Sequence, residues 1–324
     1  MKKIIETKNL TKEYKYFEKT EGLKGSFKSL FKRETKIRKA LTEFSISIDE
    51  GEFVGLMGPN GAGKTTLIKM LTGIIRPTIG EISVNGFTPS KGETEFKKSF
   101  AVVMGQKSQL WWDLPTSDSL LLNKAIYNIP DKKYKDNVEY FTKLFEVGHY
   151  LSVPVRKLSL GERMKFELIA SLLHSPKLLF LDEPTIGLDA VAQRQIREML
   201  KTAGKERGIT LLLTSHYTED LLELTKRCVV LRDGQKIYDG ELQKLLADNS
   251  SFSTISVTYS SLKQLPEIEN AELIEKSDYF ISVRTPKVNT EACLKKFLDL
   301  SDIEDIKISD DDVTLLVERV YKGL

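Results

Sequence analysis

Short, uninterrupted apolar runs alternate with amphipathic stretches along most of the chain. Each run is bounded by glycine, proline or charged residues, as in FVGLMG, SFAVVMG, KLLFLDEP, ITLLLTS and CVVLRDG. Strands that are apolar on both faces are typical of a parallel sheet covered by helices, and the amphipathic stretches between them predict those helices. The pattern therefore predicts an α/β domain with a mostly parallel sheet.

The pattern changes near Asp248. Apolar and polar residues now alternate in STISVTYS and YFISVRT, which predicts strands with one buried face, and TEACLKKFLDL predicts a helix between strands. EDIKIS predicts a further strand, and Ser309 is placed to cap a last helix from Asp311. We therefore predict a first domain over 1–247 and a small α+β domain over 248–324. The role of the second domain is either dimerisation or regulation.

Two segments interrupt the alternation within the first domain. Residues 17–39 hold eight Lys or Arg against three Glu, and four apolar residues fall at helical spacing: Leu23, Phe27, Leu30 and Phe31. This predicts a basic amphipathic helix, which either packs on its own domain or contacts a membrane surface. Residues 107–170 predict a helical subdomain, in which TSDSLLLNKAIYNIPDKKYKDNVEYFTKLFEVGHY contains two helices separated at Pro130.

Composition narrows the class of protein. The chain has 49 Lys and Arg against 46 Asp and Glu, a net charge of +3, so no nucleic-acid partner is expected. Cys228 and Cys293 lack metal-ligand or redox spacing and are interpreted as core residues of a protein from a reducing compartment. No apolar run approaches the ~20 residues that cross a bilayer, so a cytosolic protein is expected.

A phosphate-binding loop is the strongest chemical signal. GPNGAGKTT follows an apolar strand and precedes a helix, the context in which backbone amides, an ammonium and a hydroxyl surround the phosphates of a nucleotide. We expect the lysine to neutralise phosphate charge and the first threonine to ligate Mg²⁺. The nucleotide-binding residues predicted here are Gly58, Pro59, Asn60, Gly61, Ala62, Gly63, Lys64, Thr65 and Thr66.

Acidic residues follow a second apolar strand. LLFL ends in Asp182 and Glu183, at the sheet edge where open α/β sheets bind ligands. By itself such a pair is more typical of a turn, but beside a phosphate loop one carboxylate can hold Mg²⁺ while the next activates water. We predict Glu183 as a catalytic residue.

Single polar residues close two other strands. Gln106 ends SFAVVMGQ and His216 ends ITLLLTSH, where each is either a polar strand cap or a catalytic group near the γ-phosphate. We predict both as catalytic, and Thr65, Gln106 and Asp182 as the Mg²⁺ ligands. Tyr14 is the candidate for stacking on an adenine ring, with Tyr16 as its rival.

A second possible phosphate site lies in LSLGERMKF. Ser159 and Glu162 have the spacing of a capping box, in which each side chain bonds the backbone amide of the other. The competing interpretation is that Ser159, Gly161 and the positive helix end bind a phosphate. The residues alone favour the cap.

The ordered motifs GPNGAGKTT, Gln106, LSLGER, LLFLDEPT, GLDA and His216 resemble the nucleotide-binding subunits of ABC transporters over roughly residues 4–245. The resemblance implies a P-loop ATPase fold with a mixed sheet and a helical subdomain. It implies that Gly58 to Thr66 form the Walker A loop and that Asp182 and Glu183 are the Walker B ligand and catalytic glutamate. It further implies Asp189 as the D-loop aspartate.

The same resemblance implies how the chain works. It implies that two chains pack head to tail. Ser159, Gly161 and Glu162 of one chain then close over the ATP and Mg²⁺ held by the Walker A loop of the other chain. The partners implied are permease subunits at the cytoplasmic face of a membrane and a second copy of this chain or a homologous ATPase subunit. The segment after Gln106 is most like subunits of ABC-2-type exporters. The signature departs from the common LSGGQ at Leu160 and Glu162, which bears on packing beside the nucleotide.

The alternative function is a soluble ABC-type ATPase that acts on nucleic acid or the ribosome. Such proteins resemble fused cassettes or carry long coiled coils, whereas this chain has one phosphate loop and no heptad run. The helical segment after Gln106 is the expected docking surface for a membrane partner. Trp111 and Trp112 are candidate anchors there, with core packing as the other possibility.

Overall fold

The computed structural model describes residues 2–17, 35–105, 107–215, 217–249, 252–260, 271–298 and 303–310. Contacts divide the chain into two compact units, Met1–Glu241 and Leu242–Leu324. The division falls before the domain boundary that the sequence predicts at 247. The functions that the sequence assigns to the two domains stay predictions.

Six strands of the first unit form the sheet predicted from the apolar runs, with the order β5-β6-β7-β3-β8-β9 in the described residues. Neighbouring strands are parallel except β8 and β9. Successive residues of the strand around Phe180 are buried, so both faces of the sheet are covered there. This explains the unbroken apolar runs. The strands are β3 (Phe53–Met57), β5 (Phe100–Met104), β6 (Leu178–Asp182), β7 (Thr210–Thr214), β8 (Arg227–Arg232) and β9 (Gln235–Glu241).

A second, antiparallel sheet has the order β2-β1-β4 among the described strands. Its members are β1 (Lys3–Phe17), β2 (Thr35–Asp49) and β4 (Ile79–Val84). Register shifts in β1 near Leu10 bend the strand, so its end carries Tyr14 opposite Arg38 of β2. One hydrophobic core joins both sheets to the first helix through residues such as Phe44, Leu67 and Phe180.

The helices of the first unit begin and end where the sequence places its start and stop signals. Pro115 and Pro130 directly precede two of them, as predicted for 116–150, and Gly208 ends another in the left-handed conformation. They are α1 (Lys64–Leu71), α2 (Thr94–Lys98), α3 (Thr116–Tyr127), α4 (Asp131–Leu144), α5 (Leu160–Leu172), α6 (Ala190–Arg207) and α7 (Thr218–Leu224). None of the helices in the described ranges has both the length and the apolar character needed to cross a membrane.

The second unit contains an antiparallel sheet whose described strands have the order β11-β12-β10-β13. Alternate residues of β10 are buried, among them Ile255 and Val257, and they pack against Phe297. This agrees with the predicted strands and helix. The elements are α8 (Leu242–Asn249), β10 (Phe252–Tyr259), β11 (Glu272–Lys276), β12 (Phe280–Pro286), α9 (Thr290–Leu298) and β13 (Ile303–Asp310).

Two predictions fall largely outside the described residues. The four apolar positions of the basic amphipathic helix lie in 18–34, and the last helix lies in 311–324. The ends of the predicted 17–39 insertion are strand, because β1 runs to Phe17 and β2 begins at Thr35. Ser309, predicted as a helix cap, lies within β13.

Candidate functional site

The loop between β3 and α1 is shaped by two glycines with positive φ. A Cβ on Gly58 (φ +146°) would lie 2.3 Å from the carbonyl oxygen of Leu231, and a Cβ on Gly63 (φ +110°) would lie 2.5 Å from that of Ala40. Both distances are below any tolerable contact with backbone, so only glycine fits. The glycine spacing of the motif is therefore a steric requirement of the neighbouring strands.

Lys64 opens α1 and folds back over this loop. Its Nζ donates to the carbonyl oxygens of Gly58 at 2.5 Å and Pro59 at 3.2 Å, and the residue is 8% exposed. Burial lowers the pKa of the ammonium, and the nearby carboxylates of Glu183 and Asp182 act in the opposite direction. A cation held this way beside a helix N-terminus is suited to bind phosphate.

Asp182 links the loop to the end of the sheet. Its Oδ1 accepts a hydrogen bond from Thr214 at 2.6 Å, and its Oδ2 lies 3.3 Å from the hydroxyl of Thr65. A carboxylate and a hydroxyl oxygen thus meet where β6 ends and α1 begins. Mg²⁺ in nucleotide sites commonly takes one or two oxygen ligands from the protein and the remaining ligands from phosphate and water. The oxygens of Asp182 and Thr65 fit this requirement.

Glu183 occupies a conformation that is rare for residues with a side chain, with φ +56°. Its amide donates to the carbonyl of Thr214 at 3.0 Å. Its own carbonyl presses on Gly105, where a Cβ would lie only 2.0 Å from the oxygen. The turn that presents this carboxylate is therefore constrained from two neighbouring strands.

Gly63, Lys64, Asp182 and Glu183 line a cavity of about 890 Å³, within the range of about 300–1,000 Å³ that small-molecule sites occupy. Four basic side chains and two carboxylates face it, a balance suited to a polyphosphate. The lining residues predicted from the sequence are Tyr14, Asn60, Gly61, Ala62, Gly63, Lys64, Thr65, Thr66, Asp182 and Glu183, with the rival Tyr16.

Sequence reasoning missed several lining residues: Arg38, Ala40, Lys69, Met104, Gly105 and Lys107. Arg38 is the most informative, because it pairs with Tyr14 across β1 and β2. Only strand register brings it to the cavity, although the basic KIRK stretch is a visible signal. Tyr14 and Tyr16 are both exposed by about 40%, and the Nζ of Lys12 lies 5.2 Å from the centre of the Tyr14 ring.

The predicted signature residues lie outside the cavity lining. The capping box is confirmed: the Ser159 amide donates to Oε2 of Glu162 at 2.8 Å, and the Glu162 amide donates to the Ser159 hydroxyl at 3.2 Å. Leu160 packs on Gly187: a Cβ added to Gly187 would lie 3.3 Å from Cδ2 of Leu160.

Asp189 caps α6 in this chain, because its Oδ1 accepts from the amide of Ala192 at 2.9 Å. Like the signature, it is absent from the cavity lining. Gly161 lies against Ala192, where a Cβ would come within 3.1 Å of that side chain. Gln106 and His216, both predicted as catalytic, lie outside the described residues.

A phosphate loop that opens a helix, next to paired carboxylates at the end of a parallel strand, defines a P-loop nucleoside triphosphatase. The α/β architecture agrees with this class, as the sequence predicted.

Comparison with known proteins gives the family. A family model described as ABC transporter matches residues 41–186. The ABC transporter ATP-binding protein NatA of Bacillus subtilis is 31% identical over 221 residues, 68% of this chain and 89% of that protein. The bacitracin transport ATP-binding protein BcrA of Bacillus licheniformis is 30% identical over 252 residues, 78% and 74% respectively.

Among solved structures, a dimeric ATP-binding cassette in a post-hydrolysis state, bound to ADP and Pi, has the same fold. It is 23% identical, with a TM-score of 0.60 over 74% of this chain and 98% of that one. The chain belongs to the family of ABC transporter ATP-binding proteins, and it is an ATP-binding and ATP-hydrolysing subunit. Because these relatives are transporter subunits, the comparisons do not favour the alternative of a soluble ATPase acting on nucleic acid or the ribosome.

The contact between Gly105 and the Glu183 carbonyl generates a prediction. Gly105→Ala should push the Glu183 turn away from the cavity and lower the ATPase rate at least about 10-fold, because small displacements of reacting groups are costly. ATP binding should be retained, since the phosphate loop is untouched. Steady-state hydrolysis and binding of a fluorescent ATP analogue measure the two effects.

Gly148→Ala is the matched control, because a Cβ there would make an ordinary contact of 3.9 Å with Thr142. An unchanged ATPase rate in Gly105→Ala would show that the Glu183 turn does not depend on this contact.

Proposed function

We propose that the chain closes as a head-to-tail dimer on two ATP molecules and drives a separate membrane permease, in the direction of export. The observation that carries the proposal is the placement of the signature. Ser159 and Gly161 stand at a well-capped helix start that is not part of the chain's own cavity. Phosphate-binding groups placed there have a nucleotide within reach when a second chain supplies it.

The comparisons support this arrangement. The solved cassette with ADP and Pi is dimeric, and BcrA is a bacitracin transport protein. One chain also supplies both kinds of half-site, with Lys64 in the cavity and Ser159 outside it. A homodimer would therefore contain two complete sites, and a homologous ATPase subunit could replace one copy.

The roles proposed for the cavity residues, and for Gln106 and His216 outside the described residues, are those predicted from the sequence. Lys64 leaves the loop carbonyls to bind phosphate oxygens, and Tyr14 stacks on the adenine ring. Thr65, Asp182 and Gln106 would hold Mg²⁺, which would neutralise phosphate charge. Glu183 accepts a proton from the attacking water, and His216 assists at the γ-phosphate.

The first test is Glu183→Gln. Removing the carboxylate removes the proton acceptor but leaves the phosphate loop intact, so turnover should fall at least about 100-fold. ATP binding should persist and the ATP-bound dimer should accumulate, because opening requires hydrolysis. Phosphate release and size-exclusion chromatography with ATP measure both effects. Hydrolysis at the normal rate would remove Glu183 from this role.

The second test addresses the shared site. A Lys64→Ala chain cannot bind phosphate in its own cavity, and a Ser159→Arg chain cannot serve its neighbour. Each homodimer should be inactive, whereas a mixture should regenerate one intact site and about a quarter of the wild-type activity at equal ratio, since half the dimers are mixed and each has one site of two. A mixture as inactive as the separate variants would contradict head-to-tail sharing.

Docking on the permease is proposed for the exposed segment after Gln106. Trp111 and Trp112 are 57% and 52% exposed, so the alternative of core packing is wrong. The segment is nonetheless held firmly: the Trp111 amide donates to Ser119 at 3.1 Å, and the guanidinium of Arg163 lies 5.4 Å from the Trp112 ring centre. Exposed aromatic residues on a rigid segment are typical anchors of interfaces.

The buried carboxylate of Glu167 holds the start of this segment to α5. It accepts from the Ser108 hydroxyl at 2.5 Å and from the Gln109 amide at 3.1 Å, and burial raises its pKa. Because α5 begins at the signature, a movement of the docking segment would reach the phosphate-binding end of that helix.

The third test is a double Trp111→Ala, Trp112→Ala variant. Loss of both rings should lower recovery of the permease from detergent-solubilised membranes at least about 10-fold, as expected for anchor residues, and localisation at the cytoplasmic membrane face should be lost with it. ATP binding should be unchanged. Ile74→Ala is the control, because Ile74 is 60% exposed and lies outside the segment. Equal recovery by the double variant would contradict the docking surface.

A further inference from the structure

A fully buried carboxylate lies behind the cavity. Asp220 in α7 is 0% exposed and does not line the cavity. Its Oδ1 accepts from Nη1 of Arg197 at 3.0 Å, and its Oδ2 accepts from the hydroxyls of Thr185 and, at 2.6 Å, Ser215. A buried charge is tolerated only with such compensation. Every one of these three donors comes from a different segment of the chain.

Two of the donors flank proposed catalytic positions. Thr185 stands two residues after Glu183, and Ser215 directly precedes position 216. The Ser215 hydroxyl also accepts from the amide of Tyr217 at 3.0 Å. The single carboxylate of Asp220 thereby fixes the turn after β6 and both residues that flank position 216.

The backbone of Glu183 needs such support. A non-glycine residue at φ +56° persists where its surroundings over-determine it. The Glu183 amide is held by Thr214 and its carbonyl lies on Gly105, which fixes the beginning of the turn. The Thr185 hydroxyl, bonded to Asp220, fixes its end.

The ion pairs of α6 and α7 do not by themselves require Asp220 to bind hydroxyl groups. Glu223 already joins the two helices through Nε of Arg197 at 3.0 Å and Nζ of Lys201 at 3.1 Å. The bonds to Thr185 and Ser215 instead connect the helix pair to the strand ends at the nucleotide edge of the sheet.

We propose that Asp220 is a positioning residue for ATP hydrolysis, which acts through Thr185 and Ser215 to hold the Glu183 turn and the end of β7. This inference rests on the proposed function of Glu183. Asp220 is not among the residues that line the cavity, so its loss should lower kcat and leave the KM for ATP unchanged.

The test uses hydroxyl variants of the full chain, because removing Asp220 leaves the buried Arg197 short of a partner and endangers folding. Thr185→Val and Ser215→Ala each delete one bond to Asp220 at nearly constant volume. Each should lower kcat about 10-fold or more, as a misplaced reacting group does, with the KM for ATP changed less than about 2-fold. Thr185→Ser retains the hydroxyl and should restore the wild-type kcat.

Matched controls are available elsewhere in the first unit. Thr225 and Ser171 are also buried, and their hydroxyls bond carbonyls of their own helices, Leu221 at 2.8 Å and Leu168 at 2.7 Å. Thr225→Val and Ser171→Ala should therefore leave kcat unchanged. Thermal denaturation of every variant verifies that it is folded.

The outcomes separate this inference from the proposed function. If Glu183→Gln is inactive while Thr185→Val and Ser215→Ala hydrolyse ATP like the wild type, the role of Asp220 is overturned and the function of Glu183 stands. If Thr185→Ser is as impaired as Thr185→Val, the hydrogen bond is not the cause and the inference is also overturned. Normal hydrolysis by Glu183→Gln would instead remove the proposed function on which both depend.

Discussion

The hydrogen bonds that Asp182 shares with Thr214 and Thr65 are the constraint on which the nucleotide site depends. They join the ends of two parallel strands to the first turn of α1, so the phosphate loop and the acidic edge of the sheet form one rigid unit. Glycine is required wherever another backbone crosses this unit, as at Gly63 and Gly105. The cavity is therefore preorganised by backbone contacts and by the hydrogen bonds of Asp182.

The residues proposed to bind the phosphate of a second chain lie outside the cavity that this unit forms. The capping box of Ser159 and Glu162 stabilises the start of α5, and α5 is tied through Glu167 to the segment that carries the exposed tryptophans. Leu160, the departure from the common signature, packs on Gly187 of its own chain. The side chain of Leu160 thus lies against the turn before α6.

The elements and the phosphate loop were predictable because they depend on local chemistry. Apolar runs and prolines such as Pro115 and Pro130 act within a few residues, and the phosphate loop is a contiguous motif. Arg38 was missed because it reaches the cavity only through pairing with Tyr14 across two strands. The network of Asp220 was equally hidden, since its donors Arg197 and Thr185 lie 23 and 35 residues away in sequence. Sequence spacing carries no information on such contacts.

The sequence by itself determined the α/β class, the phosphate loop and the acidic strand end, because each is set by local pattern and burial. Only the tertiary structure decided that Ser159 stands outside the chain's own cavity, that Trp111 is exposed, and that the buried carboxylate of Asp220 bonds Thr185 in the turn after β6. These depend on which distant segments the sheet order and helix packing bring together, and burial of a charge is permitted only where all of its partners converge.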